Sequence, residues 1–157
     1  MIFTIHDIES CIVQNDINSL EKYVDQIVEN MSFEYCEVLI KGLMETKHHG
    51  TRNMIALALS DLRCNEAVDK IIELLKSDST KGSRGTLIYA LGPLDYENHI
   101  EFIFKLLKDD GLEARCEAFG LIKNACDNIP SEVKQRMIEI AQETVEMYQD
   151  VLDVLEQ

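Results

Sequence analysis

One sequence pattern occurs twice in this chain, 32 residues apart. The first copy, TRNMIALALSDLRCNEAVDKIIELLKSDST, begins at Thr51, and the second, SRGTLIYALGPLDYENHIEFIFKLLKDDGL, begins at Ser83. A fixed period of this size is the signature of stacked repeats, in which each unit buries its apolar face against its neighbours. The aligned identities are Arg52 with Arg84, Ala58-Leu59 with Ala90-Leu91, Leu62 with Leu94, Ile71 with Ile103, Leu74-Leu75-Lys76 with Leu106-Leu107-Lys108, and Asp78 with Asp110.

The same period extends back to residue 36 in the apolar rows of three successive helices. Helical spacing of apolar residues predicts helices near residues 5–14, 16–30, 32–46, 51–62, 65–77, 86–91, 97–109, from 113, and 131–155, with Gly50 ending the third helix. The three rows are Cys36, Leu39, Ile40 and Leu43; Val68, Ile71, Ile72 and Leu75; and Ile100, Ile103, Phe104 and Leu107.

The helix at 51–62 is apolar almost all round, so it must be buried on several sides. Its partners at 65–77 and 97–109 are amphipathic and would form a second layer. We therefore expect a single all-α domain over residues 1–157. The predicted architecture is a right-handed α-solenoid of about four stacked helical hairpins, closed by a long C-terminal capping helix that begins after Pro130.

The two copies resemble HEAT-type repeats, in particular the short variety named after phycobilisome lyases. The resemblance rests on Arg84, Ala90-Leu91-Gly92, Leu106-Leu107 and Asp110, although Ser60 stands where Gly92 stands in the later copy. It implies a scaffold rather than an activity, because the family includes enzymes, adaptors and inhibitors. It also implies that each helix-start arginine pairs with the aspartate of the preceding loop, Asp78 with Arg84 and Asp110 with Arg115.

Charge and cysteine content narrow the function classes. The net charge is −14, and both ends of the chain are strongly acidic while residues 51–112 are nearly balanced. Such a field repels phosphate backbones and attracts basic proteins, so we expect no nucleic-acid partner. The five scattered cysteines contain no CxxC pair. Together with the absence of a secretory pattern and of a membrane-spanning apolar run, they predict a reduced, cytoplasmic protein without a membrane partner.

The sequence contains no recognisable catalytic arrangement. His48 and His49 are adjacent and therefore point about 100° apart on a helix, while His6 and His99 stand alone. The His-Glu dipeptides of HEAT-like hydroxylases and the tryptophan-bearing basic groove of HEAT-like glycosylases are both missing. We expect no catalytic residue, no metal and no cofactor, and therefore no enzymatic activity.

Two acidic surfaces are predicted to bind a partner. The shared register of the second helices places a row of carboxylates across the repeats, with a phenylalanine at its edge as an apolar anchor. A solvated charged face is the alternative interpretation. The predicted residues of this row are Glu34, Glu37, Glu66, Asp69, Glu73, Glu101 and Phe102.

The second acidic surface is a stripe along the last helix. Its carboxylates recur at spacings of three and four, opposite an apolar side that carries Ile140, Ala141, Val145, Tyr148, Val151 and Leu152. The stripe is either the polar outside of a terminal cap or a docking surface for a cationic partner. The predicted binding residues are Glu139, Glu143, Glu146 and Asp150, and Asp153 continues the stripe.

These features favour a binding protein without chemistry of its own. The sharpest hypothesis is a bacterial immunity protein that neutralises a cognate toxin, a basic nuclease, by placing carboxylates where the nuclease expects phosphates. Small size, acidity and a repeat architecture carry this resemblance, not a motif. The alternatives are an adaptor or regulatory scaffold of the HEAT-repeat class and, as a third class, a HEAT-like enzyme.

Overall fold

The computed structural model describes residues 3–155, apart from the side chains of Asp109 and Val154, and these residues are all-helical, without a strand. The all-α prediction is confirmed. No helix within the described part of the chain is long and apolar enough to cross a bilayer. The helices are α1 Ile5–Gln14, α2 Ile17–Glu29, α3 Cys36–Glu45, α4 His49–Asp61, α5 Val68–Lys76, α6 Gly85–Ala90, α7 Ile100–Asp109, α8 Leu112–Ala125 and α9 Ser131–Leu155.

The predicted 32-residue register is visible in the starts of α3, α5 and α7. These helices begin at Cys36, Val68 and Ile100, and each follows a three-residue 3-10 turn, at residues 33–35, 65–67 and 97–99. Their apolar rows face the core. Leu39, Ile71 and Ile103 are fully buried. The spacing of apolar residues in the sequence therefore predicted the buried faces, while the α-helices begin three or four residues later than predicted.

Most helices pack against the helix that lies two places further along the chain. Helix α2 contacts α4, α4 contacts α6, and α6 contacts α8, while α1 contacts α3 and α3 contacts α5. Adjacent helices also pair, α3 with α4, α5 with α6, and α7 with α8. Helix α4 is central to these contacts because it has no continuous polar side, and its Ile55, Ala56 and Leu59 are completely buried.

Capping residues define the first two helices. Thr4 and Asp7 form a reciprocal capping box at the start of α1, and the Asp16 carboxylate accepts a hydrogen bond from the Ser19 amide at the start of α2.

The prediction that Gly50 ends the third helix is wrong. Helix α3 already ends at Glu45, and Gly50 lies in the first turn of α4.

A buried ion pair connects the start of α6 to the end of α7. Arg84 Nη1 donates to Asp110 Oδ2 at 2.7 Å, and the two side chains are only 10% and 2% exposed. Arg84 Nη2 also donates to the Ser77 carbonyl at 3.0 Å. The predicted pairs Asp78–Arg84 and Asp110–Arg115 are therefore wrong, because Arg84 reaches forward to the loop after α7 and leaves Arg115 without Asp110.

Candidate functional site

The predicted row on the second helices is exposed, but most of its members have partners within the chain. Glu34, Glu37, Glu66, Asp69, Glu73 and Glu101 all lie at the surface. Among the described residues, only the first two of these carboxylates have no hydrogen-bond or ion-pair partner. The row is therefore less available to an external cation than the sequence suggests.

The internal partners of the row come from neighbouring turns and helices. The His99 Nε2 atom lies 2.9 Å from Asp69 Oδ1, and Lys70 Nζ lies 3.0 Å from Glu73 Oε2. Glu66 accepts from the Cys64 thiol at 3.4 Å. The guanidinium of Arg136, on α9, donates to Glu101, with its Nε atom at 3.1 Å. This last contact joins the start of α9 to α7.

Phe102 is not a free apolar anchor. Its ring is half-buried and packs against the core, and Lys76 Nζ lies 5.1 Å above the ring centroid. A cation held over an aromatic face gains favourable electrostatic energy from the ring quadrupole. Phe102 therefore already has a cationic partner in the chain itself.

The acidic stripe of α9 is open to solvent on its whole length. Glu139 accepts from Gln135 Nε2 at 3.0 Å, while Glu143, Glu146 and Asp150 have no partner among the described residues. The opposite side of α9 is also exposed, which the sequence did not indicate. Val133 and Met137 pack against the body of the protein, but beyond them the large apolar side chains of α9 lie at the surface.

A different acidic surface, which the sequence analysis missed, lies over α2, α4, α6 and α8. Two clefts, with volumes of about 280 and 340 Å³, meet at Asp61. We call their union the acidic groove. Its carboxylates are Glu21, Asp25, Glu29, Asp61 and Glu117.

The groove combines unpaired charge with an apolar floor. Within residues 3–155 none of its five carboxylates has a hydrogen-bond or salt-bridge partner, and four of them are exposed while Glu117 is half-buried. Met54 and Leu57 line one cleft, and Tyr89, 60% exposed, lines the other. Aromatic side chains are enriched in protein interfaces, whose rims are polar.

One signal in the sequence could have revealed the groove. Glu21, Asp25 and Glu29 recur every four residues on α2, opposite the buried Leu20, Val24 and Ile27. Like charges at this spacing repel one another and lower helix stability. Their accumulation on one face of α2 therefore indicates a surface that binds a cationic partner. Asp61 and Glu117 could not be added from the sequence, because only the packing of α4 against α2 and α8 against α6 brings them to the same groove.

The three arginines that recur once per repeat, Arg52, Arg84 and Arg115, have different surroundings. Arg52 is 3% exposed, its Nη2 contacts His49 Nδ1 and Ser83 Oγ, and burial lowers the pKa of its guanidinium. Its Nε atom is buried without a partner among the described residues. Arg84 is held by Asp110, and Arg115 lies elsewhere, at the surface. Arg52 and Arg84 are therefore held by contacts within the protein.

The cysteines and histidines do not assemble into a reactive cluster. Burial, followed by contacts with Cys36 and Glu66, raises the pKa of the Cys64 thiol and keeps it protonated. No group of three His, Cys, Asp or Glu side chains in the part of the chain that the structure describes is arranged to hold a metal ion.

Comparison with protein-family models, with curated protein sequences and with solved structures finds no match to this chain. Its function is accordingly argued from the groove and the surfaces described above.

Proposed function

We propose that this protein is a right-handed HEAT-like solenoid that binds a basic protein and has no chemistry of its own. In its most specific form, it is a cytoplasmic immunity protein that neutralises a cognate bacterial toxin, a basic nuclease. The recurring 32-residue helix starts and the chain-order contacts between α2, α4, α6 and α8 support the solenoid. Solenoids typically bind their partners on an extended concave surface, and we propose that this protein does the same.

The observation that carries the proposal is the acidic groove. Its unpaired carboxylates have not been neutralised by internal partners, unlike most of the row on α3, α5 and α7. An external lysine or arginine would therefore gain a full ion pair there rather than compete for one. Met54, Leu57 and Tyr89 would supply the apolar contacts that a stable interface also needs.

The charge distribution suggests how inhibition would work. A nuclease surrounds its active site with cations that hold phosphates, and the carboxylates of the groove could occupy those positions instead. Complementary charge increases the association rate of two proteins and disfavours binding to other proteins. Both effects weaken at high ionic strength, because salt screens the charges. The net charge of −14 favours such an association while repelling the nucleic acid itself.

Co-expression tests the proposal directly. The chain would be produced with the product of the adjacent reading frame, and both growth and co-purification would be measured. We expect the neighbouring product to be toxic and basic, to co-purify with this chain, and to lose its toxicity in its presence. A basic but harmless partner would assign the adaptor class instead, and absence of any complex together with unprotected growth would overturn the immunity proposal.

A further inference from the structure

The apolar side of α9 continues well beyond the part that packs on the protein. Eight large apolar side chains from residue 138 onward are between 43% and 76% exposed. Apolar exposure of this extent along one helix is unusual on a monomer and is costly in water. These side chains are Ile138, Ile140, Val145, Met147, Tyr148, Val151, Leu152 and Leu155.

Beside this stripe lies a cleft between α7, α8 and α9 with a volume of about 380 Å³. We call it the cationic cleft, after Lys105, Lys108 and Arg115 in its wall. Phe104 and Tyr148 contribute aromatic surface to the same cleft. It therefore presents positive charge next to apolar surface, the reverse of the acidic groove.

The charge of this cleft contrasts with that of the whole chain. Among the side chains that the structure describes, no carboxylate lines it, although acidic residues outnumber basic ones 29 to 15 in the sequence. None of its three cations forms an ion pair with any described residue. The cleft is therefore prepared for a partner that is both apolar and negatively charged.

We propose that the occupant is α9 of a second copy of this chain. This helix carries the two features that the cleft requires, an apolar stripe and a parallel row of unpaired carboxylates at Glu143, Glu146 and Asp150. The apolar stripe of one copy lies in the cationic cleft of the other, and its carboxylates reach Lys105, Lys108 and Arg115. Two-fold symmetry then makes the contact self-complementary, so that each α9 covers the stripe of the other.

The available area agrees with a dimer. Eight side chains exposed by about half would bury on the order of 600 to 800 Å² per copy, which is close to the share of one partner in a standard interface. Apolar contact supplies most of the free energy of association. The ion pairs at the edge fix the register of the two helices.

Dimerisation leaves the acidic groove free. On α8, Arg115 belongs to the cationic cleft and Glu117 to the acidic groove. Side chains two residues apart on a helix point about 200° apart around its axis. The two surfaces are therefore on opposite sides of α8. The proposed dimer does not depend on the proposed function, and its failure would leave the groove untouched.

Sedimentation velocity on the purified full chain tests the dimer, from low micromolar to about 200 µM. We expect a dimer that dissociates on dilution. The double variant Tyr148→Asp with Val151→Asp should be monomeric over the whole range, with unchanged circular dichroism, because both side chains are exposed in the single chain. The control variant Glu34→Lys with Glu37→Lys, on another surface, should still dimerise.

A charge exchange makes the test specific for the cationic cleft. Lys105→Glu with Lys108→Glu in one preparation, and Glu143→Lys with Glu146→Lys in another, should each weaken self-association at least tenfold. Mixing the two should restore a heterodimer. Any of three results would overturn the proposal. The wild-type chain could be monomeric at every concentration, the dimer could survive the stripe substitutions, or the mixture of the two charge variants could fail to associate.

Discussion

At the scale of single residues, burial decides which charges matter for stability. The Arg84–Asp110 pair lies in the interior, whereas the Lys70–Glu73 pair is about half exposed on both sides. An interior pair is costly to form, but removing one partner leaves an uncompensated charge away from water. An exposed pair gains little because water and salt screen it.

Replacing Arg84 tests this contrast. We expect Arg84→Ala to lower the free energy of unfolding by about 3 kcal/mol, because Asp110 keeps a buried charge without its partner. The exposed control Lys70→Ala should lose less than about 1 kcal/mol. Urea denaturation measures both. Arg84→Met combined with Asp110→Leu should be less destabilised than Arg84→Ala, and equal losses for Arg84→Ala and Lys70→Ala would contradict the buried pair.

The cysteines allow a second test at this scale. Burial raises the pKa of the Cys11 and Cys64 thiols, whereas Cys116 and Cys126 are exposed. Since the thiolate is the reactive form, a maleimide should label only the two exposed cysteines rapidly in the native protein, and peptide mapping by mass spectrometry would locate the label. All five should react in urea. Rapid native labelling of Cys64 would be inconsistent with this structure.

At the scale of helices, local signals explain the starts of α1 and α2. Both begin with a polar residue whose oxygen accepts a hydrogen bond from the first turn, and both carry a carboxylate in that contact. Hydrogen bonds from the Thr4 hydroxyl and the Thr4 amide lower the pKa of Asp7. Bonds from Ser19 do the same for Asp16.

These shifts predict an acid-sensitive N-terminal hairpin. A carboxyl whose pKa is lower in the folded state stabilises the fold above its unfolded pKa, near 3.8 here, and that contribution is lost as the pH falls through the folded pKa. NMR titration should therefore give Asp7 and Asp16 pKa values below 3.8, with Asp7 moving back towards that value in Thr4→Ala. An Asp7 pKa at or above 3.8 in the unmodified protein would contradict the capping box.

Helix α9 shows where sequence reasoning stops at this scale. Its length, its start after Pro130 and its two-sided pattern follow from the periodicity of its residues. Whether the apolar side is covered depends on contacts with neighbouring helices such as α7, and the large apolar side chains beyond Met137 are exposed. A pattern within one helix cannot say how far its neighbours extend.

At the scale of the whole molecule, the repeat period predicted the register and the buried positions of α3, α5 and α7 but little of the site. Leu39, Ile71 and Ile103 could be assigned to the core because the same position recurs in three helices. Asp69, Glu101 and Phe102 were correctly placed on or near the surface, yet their internal partners come from neighbouring helices that no single pattern includes. The acidic groove arises likewise from packing between α2, α4, α6 and α8.

The affinity of this chain for the product of the adjacent reading frame tests the central claim most directly. Calorimetric titration would compare the unmodified chain with Asp25→Lys plus Asp61→Lys in the acidic groove, and with the charge-matched Glu34→Lys plus Glu37→Lys outside it. We predict that the groove variant binds at least about a hundredfold more weakly, a loss of about 2.7 kcal/mol, while the matched variant changes affinity less than about threefold. Equal losses, or a loss confined to the matched variant, would contradict the claim that the groove is the binding surface.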